Sequence, residues 1–225
     1  MFTGLLVLLA VYAADPVPVD QEQAWALLEG VIDGADPIRS LHAGFEQSKT
    51  TALLREPIVS SGIVRHIEGL TRWDTTAPYA STMVVTRGRL EMFYPDQKVL
   101  EVYELSDQVN AMATSPAPDI DELRKLFEIS DVQSDEQVLN ITFVPRDAQL
   151  AEVFRTVEMA VVRDRACLRQ IGFTNPDDET TTILFSDVEL NIELDRDELE
   201  MDVPEGTTVV HPLEETASDT GGRSD

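Results

Sequence analysis

Apolar residues first recur at helical spacing. Asp20 precedes Ala24, Leu27, Leu28, Val31 and Ile32, and Trp25 widens the same face. Asp20 and Gln23 have the spacing of a capping box, and Gly34 and Pro37 end the run. This predicts a helix with one side free to pack. From Leu41 the period drops to two: Leu41, Ala43 and Phe45 alternate with His42, Gly44 and Glu46. Residues 63–68 alternate less cleanly, and Gly69 marks a turn. Residues 83–86, the turn Arg87-Gly88-Arg89 and residues 90–94 read as a hairpin. Residues 95–98 turn again and 99–105 return.

A loop rich in Ala, Ser and Pro follows at 110–118. Asp119 with Glu122 then has capping-box spacing, and Ile120, Leu123, Leu126 and Phe127 form the apolar side of a second, short helix. Such a helix is marginal alone and needs an apolar surface to pack on. Strand patterns resume at 138–143, 153–162, 167–173 and 180–192, and Leu199, Met201 and Val203 alternate with acids. These elements amount to about ten or eleven strands and two helices, the content of a single curled antiparallel sheet. The predicted fold is therefore mainly β with α. It is a half-open, incomplete β-barrel covered by an N-terminal helix and a mid-chain lid helix, and such a sheet would hold an apolar cavity.

Charge narrows the class of partner. The 225 residues carry 42 acids against 17 bases, a net charge of −25. That field repels phosphate backbones, so nucleic acid is not an expected partner. Residues 1–13 are an apolar run that stops at Ala14-Asp15-Pro16, which reads as a secretory signal cut between Ala13 and Ala14, although no base precedes the run. The expected division is a signal peptide at 1–13, one domain at 14–211 and a disordered acidic tail at 212–225. Cys167 is the only cysteine, so no internal disulfide is expected, and its apolar-alternating surroundings mark it as a small core residue.

Candidate chemistry is sparse. His42, His66 and His211 have no ligand spacing, so no metal is expected. The acidic run Asp195, Asp197, Glu198 and Glu200 lacks the glycine of a calcium loop and reads as a solvated face. Nucleotide-binding and nucleophile-elbow motifs are missing, which argues against an enzyme. Arg72-Trp73-Asp74 is the most distinctive tripeptide. By strand parity Arg72 and Trp73 face opposite sides, and Trp73 is either core or part of a ligand pocket. Met83, Met92 and Met201 leave the same choice open.

The order of several short motifs resembles the periplasmic outer-membrane lipoprotein carrier family (LolA-like). They are Phe45-Glu46-Gln47, Ser61-Gly62, Arg72-Trp73 with Pro78, residues 90–96, Phe143-Val144-Pro145, Asn191 and Pro204-Glu205-Gly206. The likeness runs from about Gln23 to Val210. One departure stands out: the family's basic residue and Pro, which help hold its lid closed, are replaced by His66-Ile67-Glu68-Gly69.

The resemblance implies a non-enzymatic, cofactor-free, monomeric carrier in the periplasm. Its implied partners are acylated lipoproteins, an inner-membrane ABC-type release complex and an outer-membrane receptor. Strand parity then offers Phe45, Trp73, Met83, Val85, Leu90 and Met92 as the acyl-chain cavity. Ile120, Leu123, Leu126 and Phe127 would form the lid, with Arg72 as its latch. The competing expectation is a regulator of the same fold that senses lipid or lipoprotein and binds a membrane signalling protein.

Overall fold

The computed structural model describes residues 19–105 and 120–212. The predicted signal, the 110–118 loop, Asp119 and residues 213–225 lie outside them. The elements in chain order are α1 (Gln21–Asp33), β1 (Ser40–Thr50), β2 (Ile58–Ile67), β3 (Leu70–Ala77), β4 (Ser81–Thr86), β5 (Arg89–Tyr94) and β6 (Val99–Glu104). Then come α2 (Ile120–Leu126), β7 (Phe127–Ser134), β8 (Val138–Pro145), α3 (Ala148–Ala151), β9 (Thr156–Val162), β10 (Cys167–Thr174), β11 (Thr180–Leu190), a 3-10 turn (Arg196–Glu198) and β12 (Thr208–Val210).

All strands join one sheet, in the order β12-β6-β5-β4-β3-β2-β1-β11-β10-β9-β8-β7. Every pairing is antiparallel except β12 with β6. Two meanders, β1–β6 and β7–β11, are spliced by β1 and β11, which pair from Leu41↔Leu190 to Thr50↔Thr180. The ends β7 and β12 stay apart in the order, so the barrel is incomplete, in agreement with the sequence pattern.

Three sequence readings are corrected. Phe127 opens β7 instead of closing the second helix. Its alternation with Glu128, Ile129 and Ser130 is strand-like, and the helical reading had absorbed it. The alternating stretch Leu199, Met201 and Val203 is no strand; Leu199 ends the 3-10 turn and is fully buried. Leu27, assigned to the apolar side of α1, is 43% exposed, while Trp25 at 3% takes its place.

The start of α1 follows the sequence: the Gln23 backbone N–H donates to Asp20 Oδ1 at 3.2 Å. Its buried side packs Trp25, Leu28 and Val31 with Phe127, Ile129, Leu139, Ile141 and Phe143 of β7 and β8. Burying side chains such as Leu28 and Val31 contributes about 2 kcal/mol each. Gln21 also closes the β7 edge: its side-chain amide donates to the Ile129 carbonyl at 2.6 Å and accepts from the Ile129 N–H at 3.0 Å. Edge-strand backbone groups that would otherwise recruit another chain are thereby satisfied. Helix α2 joins this cluster through Leu123 and Leu126, and Arg124 ties it to α1 by an ion pair with Glu29 at 2.6 Å and by lying 5.2 Å over the Trp25 ring.

Two resemblance motifs acquire physical reasons. A Cβ on Gly62 would stand 2.0 Å from the Asp74 carbonyl oxygen and 2.9 Å from Phe45 Cε1. Only glycine admits that approach, which lies beside the bulge between Ser61 and Gly62. Asn191 turns the chain out of β11 at a φ of 56°. Its side chain accepts from the Arg39 N–H at 2.8 Å and donates to the Pro37 carbonyl at 3.2 Å. Asparagine tolerates the left-handed region because its short polar side chain bonds locally.

Candidate functional site

Cross-strand partners share a face, so the register sorts the sheet into two sides. One row of the inner face runs Leu41–His66–Thr71–Val85–Leu90 across β1 to β5. The next runs Ala43–Val64–Trp73–Met83–Met92. Phe185 continues this face opposite Phe45, and Ile183 and Ile171 carry it toward β9. The α1 and α2 helices fill the β7–β9 half of the inner face, and the remainder lines a cavity.

That cavity has a volume of about 210 Å³. Its wall from the first meander is Leu41, Val64, His66, Thr71, Trp73, Met83, Val85 and Leu90. The facing wall is Leu168, Ile171 and Phe173 of β10 with Ile183 and Phe185 of β11. Strands β5 and β10 stand six places apart in the sheet, which would separate them by about 29 Å if it were flat. Both line one cavity, so the sheet is rolled around it. An apolar cavity of about 150 Å³ already holds benzene dry, so this one has room for a hydrocarbon segment.

The structure brings together four of the six cavity residues expected from the sequence: Trp73, Met83, Val85 and Leu90. Phe45 shares the inner face but does not line the cavity, and it meets Trp73 edge to face, with ring centroids 5.1 Å apart. Met92 shares the face and pairs with Met83 but does not line the cavity. The whole β10–β11 wall went unassigned, as did the polar pair His66 and Thr71. The period-two pattern of those strands was legible, but the β1–β11 splice that turns them toward Trp73 has no local signal.

The residues expected to form the lid and latch lie away from the cavity. None of Ile120, Leu123, Leu126 and Phe127 lines the cavity; they pack against α1 and the β7–β9 half of the face. Arg72 lies on the outer face, because Trp73 points inward. Its Nε donates to Asp74 Oδ1 and Oδ2 at 3.0 and 2.9 Å, and its Nη1 donates to the Glu200 carbonyl at 2.6 Å. Arg65 Nη1 and Thr82 Oγ1 also donate to Asp74, at 2.9 and 3.0 Å. Burial pushes the Asp74 carboxyl up, but the Arg72 hydrogen bonds and charge, the Thr82 hydroxyl and the Arg65 charge outweigh it and hold the carboxyl below its ordinary range. Arg72 therefore pins the C-terminal segment, where Leu199 covers Leu70 and Val84, and Met201 packs with Phe93, Leu100 and Val102. Arg72→Ala is expected to cost about 2 kcal/mol in urea unfolding while changing acyl-probe affinity less than about twofold. A large affinity change would restore the latch.

His66 is 4% exposed and Thr71 is 6% exposed. Nδ1 of the ring lies 2.8 Å from Thr71 Oγ1. Burial lowers the His66 pKa from 6.5 to about 4, so the ring is neutral at neutral pH. In the unfolded chain the imidazole takes a proton as pH falls through 6.5, while in the folded protein it resists until about 4. Stability contributed by the neutral ring is thus present above 6.5 and lost as pH drops toward 4. Between about pH 7 and about pH 4.5 the loss is about 2 kcal/mol, and His66→Gln should remove that part of the slope in urea titrations. Cys167 is buried, and burial raises its thiol pKa, which suits packing better than reactivity.

A rolled, unclosed sheet around an apolar cavity has the shape to hold a hydrophobic ligand. Residues 36–202 match the sequence profile of the outer membrane lipoprotein carrier protein LolA, and the chain belongs to that family. It is 23% identical to the outer-membrane lipoprotein carrier protein of Azotobacter vinelandii, covering 93% of this chain and 98% of that one. The carrier of Hahella chejuensis is 21% identical over 81% of this chain and 86% of its own. Among solved structures, an uncharacterized conserved protein from Thermus thermophilus aligns with a TM-score of 0.52 at 11% identity, covering 84% of this chain and 99% of that one. That likeness speaks to fold alone. Among the described residues, no helix is long and apolar enough to cross a membrane.

Proposed function

We propose that this protein carries acylated lipoproteins through the periplasm with an acyl chain held in the cavity between β1–β5 and β10–β11. The observation that supports this most is the cavity itself: among the described residues thirteen side chains line it, and eleven are apolar. Each buried methylene is worth about 0.8 kcal/mol, so about eight of them supply about 6 kcal/mol. Shielding and release are then the whole task, and no bond needs to break. An inner-membrane ABC-type complex would load the carrier and an outer-membrane receptor would unload it. Family membership supports these partners.

The test is native mass spectrometry of the protein with the first 13 residues removed, mixed with a synthetic triacylated lipopeptide and with its deacylated counterpart. A complex with the acylated peptide alone supports the carrier. Equal retention of both, or of neither, overturns it.

A further inference from the structure

We propose that His66 and Thr71 form a polar station inside the cavity that binds the neutral carbonyl oxygen of an acyl ester or amide. This rests on the carrier reading and adds what part of the cargo the cavity recognises. The two residues are direct partners across β2 and β3, and both line the cavity. The bond between Nδ1 and Oγ1 is the only one the ring makes among the described residues.

Counting protons shows what the pair offers. Neutral imidazole carries one N–H and threonine one O–H. Only one of these two hydrogens can lie in the bond between them. If the hydroxyl donates to Nδ1, the Nε2–H is left over. If Nδ1–H donates to Oγ1, the hydroxyl hydrogen is left over. Either tautomer leaves one donor in a wall that, among the described residues, is otherwise apolar, with the Trp73 indole N–H the one further side-chain donor there.

The partner for that donor is a neutral acceptor. A carboxylate would shed its hydration for a neutral dipole, and a bare charge in such a place is far more costly than a carbonyl. Arg65 and Arg72, which could repay it, point to the outer face and are engaged with Asp74. A carbonyl asks for one hydrogen bond and continues directly into hydrocarbon, which is the shape of an acyl ester or amide. Such a neutral bond in a dry site is worth up to about tenfold in affinity.

The experiment compares methyl decanoate with dodecane, each displacing a fluorescent apolar probe from the wild-type protein, Thr71→Val and His66→Phe. The expected result is that the ester weakens about five- to tenfold in both variants while the alkane holds or tightens. Equal changes for ester and alkane overturn the station and leave the carrier reading intact. Binding of neither ligand to the wild type overturns both. Infrared spectroscopy of the ester on the wild-type protein needs no substitution. A carbonyl stretch lowered from its position in hydrocarbon supports the station, and an unshifted one overturns it.

Discussion

Gly62→Ala is expected to lower stability by about 3 kcal/mol and the melting temperature by about 10 °C, the largest loss from a methyl added to any glycine among the described residues. The added Cβ would meet the Asp74 carbonyl oxygen at 2.0 Å, and Phe45 at 2.9 Å. A long side chain could swing away, but the Asp74 backbone cannot. It is fixed in β3 between β2 and β4, and its carboxylate is gripped by Arg65, Arg72 and Thr82. Relieving the clash means parting β2 from β3, which also disturbs the Phe45–Trp73 contact beside the cavity. Thermal unfolding checks this directly. A change below about 1 kcal/mol would show that the sheet yields there more easily than its register implies.

Leu90→Glu is expected to weaken binding of an acylated probe by at least about 100-fold. Leu90 is half-buried and closes the β5 side of the cavity. In the free protein a glutamate there keeps enough water for the fold to tolerate it. When a hydrocarbon chain enters, that water must leave, and among the described residues the wall offers the carboxylate no cation to replace it. Leu90→Met, which conserves volume and apolarity, should stay within about threefold of wild type. Titration of a fluorescent acyl probe measures both variants, and equal affinities for the two would remove Leu90 from the cargo path.

How much of this was legible in the chain depends on distance along it. Features set by neighbours a few residues apart could be read: the Asp20 cap, the Arg87-Gly88-Arg89 hairpin with Gly88 at a φ of 82°, and the alternation of β1, β4 and β5. Parity within β3 placed Arg72 and Trp73 on opposite sides, which is enough to put Trp73 in the cavity and Arg72 outside it. The distant partner of Arg72 was beyond reach, because Glu200 comes back from 128 residues away. The β10–β11 wall was hidden for the same reason: Phe45 meets Phe185 only through the splice of two meanders.

His66 was unplaced for a different reason. Residues 63–68 alternate too poorly for parity to assign it a face. Its cross-strand pairing with Thr71 and the curl of the sheet bury it. The second helix was read correctly as needing an apolar surface. That surface is Trp25 and Leu28 of α1, where Leu123 and Leu126 pack, away from the cavity.

In the proposed carrier the acyl chain lies between the two meanders of the sheet. A lipopeptide carrying a photoreactive diazirine near the middle of one acyl chain, irradiated on the protein and mapped by peptide mass spectrometry, tests it most directly. Adducts are expected on both walls, at residues such as Met83 and Val85 on one side and Ile171 and Phe173 on the other. Adducts confined to the outer face, around Val84, Leu199 and Met201, would contradict it.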